Sequence, residues 1–155
     1  MSTREYEVRG FGIELKTSFK NDYDLEKFKE LLKTAPILKS EIIKVFEEWD
    51  VDFEYATKVE FSEYVEICCE KIGVDIAYLV AEIINENIGE NIFEALKCQE
   101  DGSVYIYINR LLPWEMTDYE RTLTPEKVEE VINEYYKVVF NDYAVPSDVS
   151  IRIFG

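Results

Sequence analysis

The run Val104-Tyr105-Ile106-Tyr107-Ile108 constrains the fold more than any other feature, because alternating β-branched and aromatic residues predict a strand. A strand needs neighbours, since its backbone N–H and C=O groups otherwise stay unpaired. The nearest candidate is the segment 91–98, which leads into the polar turn 99–102. Residues 88–96 would also fit a continuing helix. We favour a strand there because residues 104–108 need a partner, which predicts a hairpin.

Two further segments alternate in the same way. Residues 149–153 are predicted to form the last strand of the chain, after Pro146. Residues 5–15 are predicted to form the first, but their apolar positions change from even to odd numbers around Gly10 and Gly12. One extra residue in a strand reverses the faces of all side chains that follow it. The two glycines therefore predict a β-bulge.

The remaining segments carry apolar residues at helical spacing. Asp24 is the predicted N-cap of the first helix, which should end near Ala35 because Pro36 follows. Thr124-Pro125 is the start signal of the last helix. The other helices are predicted over residues 38–49, over residues 61–72 with Gly73 as C-cap, and from the N-cap Asp75 to about residue 88. Residues 50–55 fit either a short strand or an extended connection.

The order of these elements predicts an α+β fold. One strand, several helices, two strands, a helix and a last strand form a split βαβ pattern, with a four-stranded, mostly antiparallel sheet covered by helices. We expect a single domain over residues 1–155. In that domain residues 24–88 form a helical insertion, and residues 5–15 and 91–155 supply the sheet and the C-terminal helix.

Several classes of function are disfavoured by composition. The chain has no histidine, which removes the commonest general base and metal ligand. It has no phosphate-binding glycine loop, and its three cysteines lack the spacing of a redox or zinc site. We therefore expect no enzyme, no cofactor and no metal. The charged N-terminus and the absence of a long apolar run predict a cytoplasmic protein without a membrane segment, in the host cytoplasm if a phage encodes it.

The negative charge is concentrated in one part of the chain. The net charge of the whole chain is −16. Residues 45–102 hold sixteen Asp and Glu against three Lys and Arg, a net charge of −13, whereas residues 1–44 sum to +1. The helical insertion is thus acidic from about residue 45. Solubility alone would explain an even spread better than this concentration.

Many of these carboxylates are one helical turn apart, which places them about 6 Å from each other. That spacing is close to the distance of roughly 6 to 7 Å between successive phosphates of a nucleic-acid strand. Tyr105 and Tyr107 are a second candidate contact, because they alternate with Val104 and Ile106 and would face away from the helices. The predicted partner-binding residues are Glu47, Glu48, Asp50, Asp52, Glu54, Glu63, Glu66, Glu70, Glu82, Glu86, Tyr105 and Tyr107.

These features predict an acidic inhibitor or adaptor that binds a basic protein surface, such as a nuclease or another nucleic-acid-binding protein. Its carboxylates would occupy sites meant for phosphates, and it would not bind nucleic acid directly. In size, charge and composition the chain resembles the small acidic inhibitors with which phages and mobile elements block CRISPR or restriction systems. It also resembles the immunity proteins that block nuclease toxins.

Three alternatives remain open from the sequence. Asp50, Asp52 and Glu54 offer oxygen ligands for a carboxylate-based, Mg²⁺-dependent enzyme, although the calcium-loop pattern fails at Tyr55 and Phe61. A second alternative is a structural role without catalysis, in which the sheet or the helical insertion forms an interface, for example in a homodimer. An ordinary solvated acidic surface is the third alternative.

Overall fold

The structure is a computed structural model that describes residues 5–15, 23–69, 76–98, 103–109, 114 and 116–154. Helices and strands alternate much as the sequence predicts. The strands are β1 (Glu5–Leu15), β2 (Phe93–Lys97), β3 (Val104–Asn109) and β4 (Ser147–Phe154). The α-helices are α1 (Leu25–Leu32), α2 (Pro36–Glu48), α3 (Lys58–Tyr64), α4 (Ile76–Ile88), α5 (Asp118–Arg121) and α6 (Pro125–Phe140), with a 3₁₀ turn at Phe53–Tyr55 and a π-helical turn at Val65–Cys69.

The four strands form one antiparallel sheet in the order β2-β3-β1-β4. The α+β class with a four-stranded antiparallel sheet is confirmed, and so is the strand at residues 93–97. β1 pairs with β4 from Glu5↔Phe154 to Gly12↔Ser147, and with β3 from Gly10↔Asn109 to Leu15↔Val104. β1 therefore lies between β4 and the pair formed by β2 and β3.

Both faces of the sheet carry apolar residues. On one face Ile13, Leu15, Val104 and Ile106 pack with the helices in the main hydrophobic core. On the other face a smaller cluster has Tyr107 and Cys98 at its centre, with four partly buried neighbours. These neighbours are Val8, Leu96, Tyr105 and Val149. The helices thus cover one face, and the second face has its own small cluster.

The predicted β-bulge in β1 is wrong. Pairing with β3 and with β4 is continuous through Gly10 and Gly12, with no extra residue on either side. The apolar positions change phase because Val8 belongs to the small cluster, whereas Ile13 belongs to the main core. The glycines are needed because the Tyr107 side chain lies across them. A Cβ on Gly10 would lie 2.6 Å from Tyr107 Cδ2, and one on Gly12 would lie 2.7 Å from Tyr107 Cβ.

Two predicted N-caps are confirmed, whereas α2 and α3 begin two and three residues earlier than the sequence predicts. Asp24 and Thr124 cap α1 and α6, as predicted. Pro36 begins α2 rather than only ending α1, since proline at the first helical position needs no hydrogen-bond partner. The ambiguous residues 50–55 contain the 3₁₀ turn, which Asp52 caps. The third helix is split into α3 and the π-helical turn, and the predicted caps Gly73 and Asp75 lie outside the described residues.

Candidate protein-binding surface

Five aromatic side chains hold the middle of the helical insertion together. The Phe46 ring, at the end of α2, lies 5.1 Å from the Phe61 ring and 6.1 Å from the Phe53 ring, measured between centroids. Trp49 and Tyr64 extend this group, with their own ring centroids 6.5 Å apart. Because these edge and tilted contacts are specific in geometry, they fix α2, the 3₁₀ turn and α3 relative to one another. We call these five residues the aromatic cluster.

Carboxylates gather around this cluster at unfavourable positions. Glu47 and Glu48 are exposed in the last turn of α2, where no basic residue is present. The C-terminal end of a helix carries partial negative charge, so two carboxylates there reduce stability. Asp50 follows with a positive φ of 59°, a conformation that Asp and Asn adopt more readily than most residues. Local stability therefore accounts for Asp50 but not for Glu47 and Glu48.

The exposed side of α3 and of the π-helical turn combines charge with apolar side chains. Glu63 and Glu66 are both exposed there. Beside them in sequence are Val59 and Ile67, whose side chains are 70% and 47% exposed, and Tyr55 in the 3₁₀ turn is 82% exposed. We call this set the acidic surface; its members are Glu47, Glu48, Asp50, Glu54, Glu63 and Glu66 with Tyr55, Val59 and Ile67.

The nearby lysines form no ion pair with most of these carboxylates, although Lys33 is close enough to Glu54 to interact with it electrostatically. Buried Lys29 donates from Nζ to the Ala56 carbonyl at 2.9 Å and to the Glu54 carbonyl at 3.4 Å. Lys39 Nζ lies 5.5 Å from the centre of the Phe53 ring, and Lys58 Nζ lies 4.9 Å from that of Tyr23. Among the ion pairs between described residues, none includes Glu47, Glu48, Glu63 or Glu66.

Glu82 and Glu86 belong to a different place. The Glu86 carboxylate accepts hydrogen bonds from the backbone N–H groups of Ile37 at 2.7 Å and Leu38 at 3.2 Å. It therefore binds the N-terminal end of α2, whereas Glu48 lies at the other end, about 15 Å away along the helix. Burial raises the pKa of Glu82, and the neighbouring carboxylates of Glu41 and Glu86 add to this rise.

The predicted carboxylate set is thus divided. Six carboxylates lie within one or two residues in sequence of a member of the aromatic cluster, and Glu82 and Glu86 lie near the N-terminal end of α2; the six are Glu47, Glu48, Asp50, Glu54, Glu63 and Glu66. Asp52 lies with the first group, but its carboxylate accepts from the backbone N–H of Glu54 at 3.0 Å and caps the 3₁₀ turn. Glu70 lies outside the described residues. The carboxylates predicted as one partner-binding set therefore lie in two separate places.

The two tyrosines of β3 lie on the sheet face opposite the helices. Tyr105 is half-buried there. Tyr107 is only 3% exposed, and its hydroxyl donates to the Glu94 carboxylate at 3.1 Å. Burial and that carboxylate raise the pKa of Tyr107. Tyr107 thus lies on the face away from the helices, as predicted, but it is not an exposed contact, because its ring is packed over Gly10 and Gly12.

The sequence did not point to two exposed apolar residues of this surface, and the described residues form no metal-binding group. The exposed residues Val59 and Ile67 were missed, although their spacing of eight sets them on a helix face apart from buried Phe61 and Val65. Among the described residues, no group of three or more Asp, Glu, Cys or His side chains is close enough together to hold a metal ion. Asp50, Asp52 and Glu54 do not converge on one point.

Comparison of the chain with protein-family models, with curated proteins and with solved structures gives no significant match. Across the part of the chain that the structure describes, no helix combines the length and the apolar character needed to cross a membrane.

Proposed function

We propose that this protein is a non-catalytic inhibitor or adaptor that binds a basic, nucleic-acid-binding surface of another protein through its acidic surface. The observation that carries the proposal is the mixture on α3 and the π-helical turn. Exposed carboxylates without cationic partners there alternate with exposed Val59 and Ile67. Carboxylates alone would suit solubility, but exposed apolar side chains beside them reduce solubility and favour a protein contact.

The two kinds of side chain would contribute differently to binding. The carboxylates would attract Lys and Arg side chains that otherwise hold phosphates, which speeds association and makes it sensitive to salt. Tyr55, Val59 and Ile67 would be buried in the complex and would slow dissociation, as central aromatic and aliphatic contacts commonly do. The aromatic cluster keeps these groups in place before binding, so little conformational entropy is lost.

Displacement of nucleic acid from the partner tests this proposal. Proteins retained by the immobilised chain at low salt are eluted with increasing NaCl, and each is then mixed with labelled DNA or RNA. We expect the chain to displace the nucleic acid from at least one of them. The double variant Glu63→Gln/Glu66→Gln should lose this competition. The matched variant Glu130→Gln/Glu134→Gln, which removes two exposed carboxylates one turn apart on α6, should keep it.

A variant that keeps all charges tests the apolar part separately. Val59→Ser/Ile67→Ser leaves every carboxylate in place, so the salt dependence of binding should persist while the dissociation rate rises. Equal competition by the wild type and by the Glu63→Gln/Glu66→Gln variant would contradict the proposal, because the carboxylates would then be only solubilising. Binding to a partner without displacing its nucleic acid would contradict the phosphate-mimicking mechanism.

A further inference from the structure

A cleft of about 390 Å³ lies at the junction of β1, β4 and the segment that follows α6. Pairing between β1 and β4 ends at Gly12↔Ser147, so the last residues of β1 extend beyond the start of β4. The connection from α6 passes this point and closes the opposite wall. The cleft lies on the sheet, away from the acidic surface, and neither Glu63 nor Glu66 lines it.

The wall formed by the connection is held in a fixed shape. Asn133 of α6 is buried, and its side chain donates to the Ala144 carbonyl at 2.7 Å and to the Glu129 carbonyl at 2.8 Å. Its Oδ1 also accepts from the Ala144 backbone N–H at 2.8 Å. Asn141, with a φ of 53°, ends the helix in the left-handed conformation that asparagine tolerates. These contacts fix this wall of the cleft, so its shape does not depend on a ligand.

The lining of the cleft has negative charge and aromatic rings. The carboxylates of Glu14, Asp142 and Asp148 line it, and no Lys or Arg is among the described residues that do so. Three tyrosines, Tyr105, Tyr136 and Tyr143, line it as well. Aromatic faces beside carboxylates are the surroundings in which organic cations bind, because the ring quadrupole and the carboxylates both attract positive charge.

Tyr136 is an independent indication of a ligand. Its side chain is 3% exposed and lines the cleft, and its ring packs against Phe140 with centroids 4.8 Å apart. No hydrogen bond of its hydroxyl is found among the described residues, and this oxygen is not among the buried polar atoms closed off from solvent, so it is the part of a buried side chain that reaches the cleft. A hydroxyl in that position can donate to or accept from a ligand group in place of water. Burial raises the pKa of Tyr136, and the nearby Asp142 carboxylate adds to this rise, so the hydroxyl stays neutral.

We propose that this cleft binds the guanidinium head of an organic cation, with the planar group stacked on a tyrosine ring and its N–H groups donating to Asp142, Glu14 and the Tyr136 hydroxyl. A guanidinium suits this lining better than an ammonium, because it is flat, weakly hydrated and carries several donors in fixed directions. The same head occurs in free alkylguanidines and in arginine side chains, so two sources share one chemistry. This site is separate from the acidic surface and does not depend on the proposed function.

Titration calorimetry with n-butylguanidinium and with its neutral isostere n-butylurea tests the site. We expect n-butylguanidinium to bind at least about tenfold more tightly than n-butylurea, since only the former carries a charge. Asp142→Asn should weaken binding about tenfold, and Tyr136→Phe, which removes only the hydroxyl, about threefold. Thermal unfolding of each variant checks that it is folded, and Asp142 is exposed, so its variant should unfold like the wild type.

The control variant is Glu63→Gln/Glu66→Gln, which should bind n-butylguanidinium like the wild type even though it loses partner binding. An acetylated and amidated Gly-Arg-Gly peptide distinguishes the two sources of the head. Binding of both the peptide and n-butylguanidinium supports the site with an arginine side chain as a permitted ligand, and binding of n-butylguanidinium alone supports a free cation. Equal binding of n-butylurea, no binding of n-butylguanidinium, or unchanged affinity in the Asp142→Asn and Tyr136→Phe variants would overturn the proposal.

Discussion

The two ends of α2 use the same residue type for opposite purposes. At its N-terminal end Glu86 accepts two backbone hydrogen bonds, and its carboxylate lies where the helix carries partial positive charge. At its C-terminal end Glu47 and Glu48 are exposed, lie at the negative end of the helix and have no ion pair among the described residues. Glutamate at the first end stabilises the fold, and glutamate at the second does not. The second end is therefore where a partner is to be sought.

The largest effect on this comparison should come from Phe46. Its ring contacts four other rings of the aromatic cluster, so Phe46→Ala should lower the free energy of unfolding by about 3 to 5 kcal/mol. Urea unfolding measures this value. A loss below about 1 kcal/mol would show that the cluster does not hold the acidic surface in place.

Glu86→Ala should have the next largest effect. It leaves the N–H groups of Ile37 and Leu38 without their acceptor, so we expect a loss of about 1 to 2 kcal/mol in the free energy of unfolding. Glu63→Ala is the control, because that carboxylate is exposed and makes no such bonds, and it should change stability by less than about 0.5 kcal/mol. If both variants lose the same stability, the contrast between the two kinds of carboxylate fails.

Neutralising the other end of α2 should have the opposite sign. Glu47→Gln/Glu48→Gln removes two negative charges from the negative end of the helix, so the protein should gain about 0.3 to 1 kcal/mol. The gain should shrink at high salt, since both side chains are exposed. Urea unfolding at low and high NaCl checks this, and a clear loss of stability would show that these carboxylates support the fold after all.

The smallest effect concerns pH and Glu82. Because burial raises its pKa in the folded state, the folded protein holds this proton at pH values where the unfolded chain has released it. Stability attributable to Glu82 therefore falls as pH rises from about 4.5 through the raised pKa. Glu82→Gln should flatten that part of the stability profile, measured by urea unfolding between about pH 4.5 and pH 7. An identical profile in the variant would argue against the raised pKa.

Much of the fold follows from local patterns. Alternation identified the strands, and Asp24 and Thr124-Pro125 marked helix starts, because caps and strand periodicity depend on residues close in sequence. The bulge in β1 was predicted wrongly for a tertiary reason. Nothing near Gly10 reveals that Tyr107 of another strand lies over it, so a change of buried face looks the same as an inserted residue.

The candidate surface was predictable in part. Charge density located the acidic segment, but it could not separate Glu86, which binds backbone groups 48 and 49 residues away, from Glu63 and Glu66, which bind none. Helical periodicity places Phe61 and Val65 in the core and Val59 and Ile67 on the opposite side, so the exposure of these two apolar residues could have been predicted from the sequence. The cleft beside Tyr136 depends on where β4 begins relative to β1, which only the fold shows.

The salt dependence of binding to the protein that the chain displaces from nucleic acid shows whether the acidic surface forms the contact. The association constant is measured at increasing NaCl for the wild type, for Glu63→Gln/Glu66→Gln and for Glu130→Gln/Glu134→Gln. We expect the association constant to fall steeply with salt for the wild type and the α6 variant, and to be lower with a shallower slope for the α3 variant. Equal association constants with the same salt dependence for all three proteins would contradict the proposed function, because the acidic surface would then contribute no more than any other exposed carboxylates.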